Sequence, residues 1–459
     1  MPALLAAGLA SCSTSPAGRP PAVASAPSPT PAATRPAQPT ARLVLPASAL
    51  TTDQQIVHVL NRLGYGPRPG DIERVKQMGL ALYIERQLDP ARISDAQVEQ
   101  TLHAYPVLST ATAELVTDYP KPGKEVRQKL ANGEMTRKDV AEAFPPERRP
   151  VRVANEMQAA KMIRAVGSER QLEEVMVDFW FNHFNVFAHK GPVVWMLPSY
   201  ERDAIRPYAL ERFADLLTAT ARHPAMLYYL DNWMSTRADM VLPSGPNKGR
   251  KLGLNENYGR ELMELHTLGV DGGYTQRDVI EVARCFTGWS IERPDQGGGF
   301  IFRPLAHDRG EKRVLGHVIR AGGGEEDGRA VIEILAHHPS TARFISTKLA
   351  RRFVSDDPPA ALIDRAAATF TRTDGDIRAV LVTIFTSPEF MSPEAYRAKI
   401  KTPLEVVASA ARAARAQVEP GSADPGPSPG GAFALARQVA KLGEPLYEAP
   451  PPTGYPDRA

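Results

Sequence analysis

Residues 255–289, NENYGRELMELHTLGVDGGYTQRDVIEVARCFTGW, contain the pattern that decides the fold. Within 256–268 the apolar residues recur at the spacing of one helix face, and charged residues occupy another face. Thr275 followed three residues later by Asp278 is a typical helix start, and helical periodicity continues to residue 286. The stretch therefore predicts two amphipathic helices joined by a glycine-containing turn.

The same helical periodicity extends along the chain from about residue 53. Two β-prone runs, 300–303 and 313–319, interrupt it and predict a hairpin-like excursion. The polar segments 231–257 and 417–430 are expected to be loops. The predicted fold is all-α, a large multi-helix domain with a small β-hairpin excursion. Its predicted helices are 53–63, 71–77, 79–88, 123–132, 150–166, 169–184, 199–206, 208–221, 223–230, 256–268, 275–286, 327–337, 340–354, 359–371, 376–386, 403–415 and 431–441.

The N-terminus has the features of a lipoprotein signal. Residues 2–11, PALLAAGLAS, form an apolar run that is shorter than the about 20 residues needed to span a bilayer. The run leads directly into Cys12, and the tetrapeptide ending there resembles the bacterial lipobox, whose cysteine is acylated. Residues 1–12 are therefore interpreted as a signal peptide with a lipobox, and lipidation of Cys12 is predicted. Because no Lys or Arg precedes the run, we expect the true start to lie upstream.

The segment that follows, 13–50, is rich in Pro, Ala, Ser and Thr. Such a composition buries too little apolar surface to offset chain entropy, so we predict a disordered tether. A lipid anchor followed by a tether is typical of an exported lipoprotein. We therefore expect a protein of the cell envelope, anchored in a membrane and facing the periplasm or the cell surface. Residues 51–459 would form the helical domain.

The charge and cysteine content narrow the classes of function. With 55 Lys+Arg and 52 Asp+Glu, the net charge of +3 is too small for a row of phosphate contacts, so nucleic acid is not an expected partner. Lipidation of Cys12 would leave only Cys285, among apolar neighbours, which predicts an inert buried thiol and no disulfide. HExxH, GxSxG, P-loop, GxGxxG and CxxC motifs are absent, which removes several common enzyme classes.

Carboxylates in the opening stretch form the first candidate site. Asn257, Glu261 and Glu264 are spaced i, i+4 and i+7, which places them near one another, with Glu261 at the border of the apolar face. A half-buried carboxylate needs a partner. Glu261 could pair with Arg277, Arg284 or another arginine. Alternatively, the two glutamates are an acid–base pair or, together with Asn257, ligands of a divalent cation.

His183 is the second candidate, because it is an imidazole among aromatic residues near the end of a predicted helix. It is either a hydrogen-bonded core histidine or a general base or ligand. Asp178, Asn182 and Asn185 are spaced i, i+4 and i+7 and are expected to line an adjacent face.

His307 and Asp308 are the third candidate and precede Gly310 in the predicted hairpin. A polar pair in a glycine-bounded loop is typical of functional positions. Asp308 could equally serve only to fix the turn. The sequence leaves both interpretations open.

Six ordered motifs resemble the bacterial family known as domain of unknown function 1800, from about residue 53 to 455. The resemblance implies an exported, mostly helical protein with no established reaction. Genes of this family often neighbour those of another exported, sulfatase- or phosphatase-like family, domain of unknown function 1501, which suggests a partner. Family members usually continue beyond PPPTGYP, so we expect a shortened C-terminus here. The motifs are 58–75, 178–186, 255–289, 307–316, 337–354 and 386–390.

Two hypotheses of function follow. In the first, which we favour, the chain is a non-catalytic surface or assembly protein that works with another exported protein. In the second it is an envelope hydrolase acting on a polymeric or saccharide-like substrate. The hydrolase requires Glu261, Glu264, His183 and the pair His307–Asp308 to meet in one cleft, with a divalent cation as a possible cofactor.

Overall fold

Apolar residues at helical spacing generate the whole architecture. The structure is a computed structural model and describes residues 42–241, 248–421 and 430–456. The first helices are α1 (Thr52–Arg62), α2 (Asp71–Met78), α3 (Leu80–Gln87), α4 (Ala96–Leu102), α5 (Thr112–Asp118), α6 (Lys124–Ala131), α7 (Arg137–Ala143), α8 (Val151–Gly167), α9 (Gln171–His183), α10 (Val193–Ser199), α11 (Phe213–Arg222), α12 (Pro224–Tyr229), α13 (Asn257–Glu264) and α14 (Gln276–Phe286). After the strands follow α15 (Glu326–Ala336), α16 (Pro339–Phe353), α17 (Ala360–Arg372), α18 (Ile377–Phe385), α19 (Pro403–Ala413) and α20 (Gly431–Lys441).

These helices confirm the predicted all-α class. The helices that the sequence did not predict, α4, α5, α7 and α10, each span seven residues, and two turns are too short to establish a helical period. The predicted helix 199–206 is a π-helical segment, Tyr200–Ile205, which follows α10 directly. The predicted helix 256–268 ends earlier, at Glu264.

The β-structure consists of two small antiparallel pairs. Strand β1 (Trp289–Ile291) pairs with β2 (Phe300–Phe302), and β3 (Lys312–Val314) pairs with β4 (His317–Ile319). The two predicted β-runs therefore do not pair with each other. Leu315, with φ of 47°, and the glycine after it turn the chain inside the second run, so that this run forms a hairpin by itself. The first run pairs instead with the strand that begins at the fully buried Trp289.

Helices α8 and α9 form the centre of the core. Most of the 17 residues of α8 are buried, because it packs against α4, α9, α10, α19 and α20. Ala159 and Ala160 are fully buried, and their small side chains let neighbouring helices approach closely. Because α8 is enclosed in this way, its polar side chains lie inside the protein. Their positions help to determine where charged groups line the cleft described below.

Contacts of the helical domain begin before residue 51. The amide of Leu43 donates to Glu85 Oε1 at 2.5 Å, Ser48 Oγ donates to the Met391 carbonyl at 2.6 Å, and Leu50 is buried. The predicted signal peptide, Cys12 and residues 13–41 of the predicted tether lie outside the described residues. So do 242–247 and 422–429 of the two predicted loops. Within the described ranges, no helix is long and apolar enough to cross a bilayer.

Candidate functional site

A charged cleft lies where α8, α9, α16 and α19 meet the segment 443–456, which follows α20 and which we call the strap. Its volume is about 290 Å³. The motifs 178–186 and 337–354 and the PPPTGYP sequence all contribute side chains to it. Its charged lining residues are Lys161, Lys348, Arg352, Lys399, Lys401, Asp178, Glu405 and Glu444, and its aromatic lining residues are Phe179, Phe181, Tyr447 and Tyr455.

Lys161 carries its charge into the cleft wall from the buried helix α8. Its Nζ lies 2.7 Å from Asp178 Oδ1 and 4.7 Å from the centre of the Tyr447 ring. Burial opposes the charged ammonium, but the carboxylates of Asp178 and Glu201 outweigh burial and raise the pKa of Lys161. The ammonium therefore stays charged at neutral pH.

A second ion pair also lines the cleft. Arg352 Nη2 of α16 lies 2.8 Å from Glu405 Oε1 of α19. Although burial would raise it, the pKa of Glu405 is lowered by Arg352 and by hydrogen bonds such as that from the Thr402 amide. Thr402 and Glu405 also form the capping box of α19, so this carboxylate has a structural partner at each oxygen.

Glu444, in the strap, has a different environment from the other carboxylates of the cleft. Its Oε2 accepts a hydrogen bond from the Leu404 amide at 3.0 Å. Burial and the nearby Asp178 carboxylate raise its pKa to about 7, against opposing contributions from that hydrogen bond and from Lys161. The side chain therefore exchanges a proton near neutral pH while lining a cavity.

The strap is held by the asparagines of the motif 178–186. Asn182 Nδ2 donates to the Tyr455 carbonyl at 2.9 Å, and the Tyr455 amide donates to Asn182 Oδ1 at 2.7 Å. Asn185 Nδ2 donates to the carbonyls of Ala449 and Pro451 at 3.0 and 2.8 Å. These two asparagines, predicted to line one face with Asp178, border the cleft and link two distant motifs through the backbone.

His183 lies beside the cleft and does not line it. Its Nε2 is 3.1 Å from the His266 carbonyl, and its Nδ1 is buried without a hydrogen-bond partner in the described chain. Burial, Lys348 and His266 lower its pKa well below the usual value, so the imidazole is neutral. It borders a second cavity of about 350 Å³, which shares Lys348 and the end of the strap with the cleft.

The predicted pair Glu261 and Glu264 is half-buried on α13 and borders neither cavity. Tyr274 donates its hydroxyl to Glu264 Oε2 at 3.0 Å. Burial and Glu264, opposed by Arg260, raise the pKa of Glu261. In the described chain no arginine pairs with Glu261.

The ion pair expected between Glu261 and Arg284 does not form, because Arg284 binds Glu281 at 2.9 Å and Asp308 at 2.9 Å. Glu281 lies on the same helix as Arg284, and Asp308 lies in the adjacent loop. Arg277, the other expected partner, makes no ion pair with Glu261 in the described residues either.

The predicted cation ligands Asn257, Glu261 and Glu264 supply only two carboxylates. Asn257 Nδ2 donates to the Leu230 carbonyl at 3.3 Å, which fixes the orientation of its amide. Nowhere in the described ranges do three or more His, Cys, Asp or Glu side chains gather as a metal site would require. A divalent cation at this position stays a prediction.

His307 and Asp308 belong to a buried network that lies away from the cleft. His307 Nε2 is 3.0 Å from Asp327 Oδ2, and the fully buried Lys312 ammonium contacts the same oxygen and the Asp308 carbonyl. The Asp308 carboxylate accepts hydrogen bonds from the Arg284 guanidinium and from the Gly310 amide. These contacts fix the loop between β2 and β3.

The sequence-predicted residues do not meet in the cleft, although α13 and His183 are neighbours, since the His266 carbonyl lies 3.1 Å from His183 Nε2 and the His266 amide donates to the Glu261 carbonyl. His183 lies next to the cleft, the two glutamates lie on α13, and the pair His307–Asp308 lies in the buried network.

The charged residues of the cleft were not predicted, apart from Asp178. Two of them, Lys348 and Arg352, could have been found from their position in the motif 337–354. Glu444 and Lys161 had no such signal. As predicted, Cys285 is a buried thiol, and burial raises its pKa to about 12.

Comparison with known proteins gives the family and nothing further. No curated protein and no solved structure matches the chain significantly. The family described as "Protein of unknown function (DUF1800)" matches residues 58–459, which include every element from α2 onward and all residues of the cleft. The chain therefore belongs to the DUF1800 family of proteins of unknown function.

Proposed function

We propose that the chain is an exported lipoprotein of the cell envelope whose helical domain binds an anionic ligand in the cleft. The charge of the lining supports the binding role, because five cationic side chains face three carboxylates, and among the described ion pairs one of the five, Lys399, pairs with a carboxylate outside the lining, that of Asp356. One of the three, Glu444, is partly protonated near neutral pH, since its pKa is about 7. A concave site with an excess of positive charge concentrates anions and favours a ligand that carries a carboxylate or sulfate group.

The apolar residues of the cleft lining narrow the class of ligand further. Phe179 and Tyr455 line the cleft, and Ile400 at the same site is 71% exposed. A sugar ring offers both a C–H face for such surfaces and hydroxyl groups for the polar side chains. We therefore propose an acidic saccharide as the ligand class.

A hydrolase built on the predicted acid–base residues is not part of this proposal. None of Glu261, Glu264, His183, His307 and Asp308 lines the charged cleft, and His307 and Asp308 are held in the buried network, whereas such a mechanism needs its acid–base residues within reach of one substrate bond. The binding role is non-catalytic, like the surface or assembly role favoured on the sequence, but unlike that hypothesis it depends on a cleft.

Calorimetric titration with D-glucuronate and with inorganic sulfate tests the binding role. Lys348→Gln removes one cation of the cleft and should weaken binding by about tenfold, as expected for a lost charge-assisted contact. Lys129→Gln is the matched control, because Lys129 lies on α6 and pairs only with Glu125 at the surface. No binding of either probe, or equal weakening by both variants, would overturn the proposal.

Lipid anchoring rests on the sequence Leu9-Ala10-Ser11-Cys12 and is tested separately. Cys12→Ala in the full-length gene should abolish incorporation of labelled fatty acid and release the protein from the membrane fraction. Cys285→Ala is the control, because that thiol is buried in the helical domain. Labelling that persists in Cys12→Ala would refute the anchor.

The proposed partner is an exported protein of the domain of unknown function 1501 family. This part of the proposal rests only on the gene neighbourhood implied by the family resemblance. Co-purification of the two proteins from membranes, compared with a strain that lacks the partner gene, is the test. Separate elution of the two proteins at physiological salt would contradict it.

A further inference from the structure

We infer that the cleft takes up its anionic ligand together with a proton on Glu444, whose protonated carboxyl donates a hydrogen bond to the ligand anion. The inference deepens the proposed function and rests on it. It assigns to Glu444 the role of linking ligand affinity to proton uptake. Neither the sequence motifs nor the family comparison singles this residue out.

The position of Glu444 supports this role. The residue lines the cleft from the strap, and the Leu404 amide anchors one of its oxygens at the N-terminus of α19. The Leu404 amide and the Thr402 side chain both donate to this carboxyl, so they use acceptor positions, and the proton of the neutral form is left for another partner. A protonated carboxyl in a cationic cleft is a donor for an anion, whereas the ionised form repels it.

The charges around Glu444 favour the neutral form when an anion enters. Asp178 on α9 already adds a negative charge next to Glu444, and a bound anion adds another. Taking up one proton removes one of three neighbouring negative charges at little cost, because Glu444 is the carboxyl that burial and Asp178 have already brought closest to neutrality. The other titratable or charged groups lining the cleft are Lys161 of α8, Lys348 and Arg352 of α16, Lys399 and Lys401 before α19, Glu405 of α19, and Tyr447 and Tyr455 of the strap.

The protonation states of Lys161 and Lys401 also affect how anion binding depends on pH. Lys161 keeps its proton, because Asp178 and Glu201 raise its pKa. Burial and Arg62, opposed by Glu405, lower the pKa of Lys401, so its deprotonation would also weaken anion binding at high pH. Lys401→Arg removes this alternative source of pH dependence, since a guanidinium stays charged over the whole pH range of the titration.

The test is a titration of the full chain with D-glucuronate, whose charge is constant between about pH 6 and pH 9. Affinity of the wild type should fall by about tenfold per pH unit above about pH 7, as linkage to one proton requires. Titrations at about pH 8.5 in two buffers of different ionisation enthalpy should show uptake that approaches one proton per ligand, because Glu444 is then mostly ionised in the free protein. This second measurement needs no variant and does not depend on how a substitution folds.

Glu444→Gln should make the affinity independent of pH and, above about pH 8, tighter than that of the wild type, because the amide is a permanent donor. Its oxygen can still accept from the Leu404 amide. Lys401→Arg should keep the wild-type slope.

A flat wild-type profile, or a slope that survives Glu444→Gln and disappears in Lys401→Arg, would overturn the inference while leaving the anion site intact. Failure of glucuronate and sulfate to bind at every pH would instead remove the proposed function itself.

Discussion

The buried network and the charged cleft both hold a lysine against an aspartate, but in different surroundings. In the network, Lys312 is 0% exposed and the Asp327 side chain 2%, and His307 adds a third polar group. In the cleft, Lys161 is 9% exposed and the Asp178 side chain 31%, next to a cavity. The same pairing therefore fixes a loop in one place and holds a buried ammonium in the wall of a cavity in the other.

This difference has an energetic consequence. A fully enclosed ammonium has no water to replace a lost counter-ion, so each partner in the network is indispensable to the others. A pair beside a cavity can be rehydrated when one partner is removed, and Lys161 also keeps Glu201 and the Tyr447 ring nearby. We expect the network to carry stability and the cleft to tolerate change.

The largest effect is expected from Asp327→Asn in the network. The substitution keeps the volume but leaves the buried Lys312 ammonium without a counter-ion, so the free energy of unfolding should fall by about 3 kcal/mol or more. Urea denaturation measures it. Glu326→Gln on the same helix is the control, because that side chain is 72% exposed, and it should change stability by less than about 0.5 kcal/mol.

A smaller loss is expected from Asn182→Ala, which detaches the strap from α9. Two hydrogen bonds to the backbone of Tyr455 are lost, and we expect destabilisation of about 1–3 kcal/mol. Hydrogen exchange should show faster exchange at the Tyr455 amide while the amides of α8 stay protected. Unchanged exchange at Tyr455 would contradict the role assigned to Asn182.

Asp178→Asn makes in the cleft the same change that Asp327→Asn makes in the network. Because Lys161 can be rehydrated, we expect a loss of about 1 kcal/mol, clearly below the loss in the network. The pKa of Glu444 should also move down toward its usual range, because Asp178 helps to raise it. Equal losses at the two aspartates would break the comparison.

The smallest effect, and one of opposite sign, is expected from Glu261→Gln. Burial and Glu264 raise the pKa of Glu261 in the folded state, so its contribution to stability is full below its unfolded pKa and is lost as pH rises through its folded pKa. Removing the charge should therefore raise stability at pH 7 by a few tenths of a kcal/mol. The gain should vanish as pH falls below the unfolded pKa of Glu261, about 4.3, where this carboxyl is protonated in both the folded and the unfolded state. A clear fall in melting temperature would show that an ion pair stabilises Glu261 after all.

Individual residues show which features of the structure could be predicted from the sequence and which could not. The start of α14 at Thr275 and Asp278 was predictable, because a capping box is a local interaction between residues three positions apart. The partner of Arg284 was not, because Asp308 reaches it from a loop 24 residues away. Helices α4, α5 and α10 were missed for a related reason, since packing against the core stabilises them more than their own sequence does, whereas α7 is mostly exposed and has a capping box of its own at Thr136 and Asp139.

The cleft shows the same limit more strongly. Its residues come from α8, α9, α16 and the strap, and no spacing in the sequence relates Lys161 to Glu444. The half-buried position of Glu261 was correctly expected from helix periodicity. Its lack of an arginine partner depends on which side chains other helices bring near, and periodicity carries no information about that.

The sequence by itself determined the class of fold, the order of the long helices and the membership of the DUF1800 family, because periodicity, caps and motif order are properties of neighbouring residues. Only the tertiary structure decided which charges share a cavity. The physical reason is that burial and Coulomb interactions depend on distances in space. Glu444 has a pKa of about 7 because folding encloses it beside Asp178, a residue 266 positions earlier in the chain (444 minus 178).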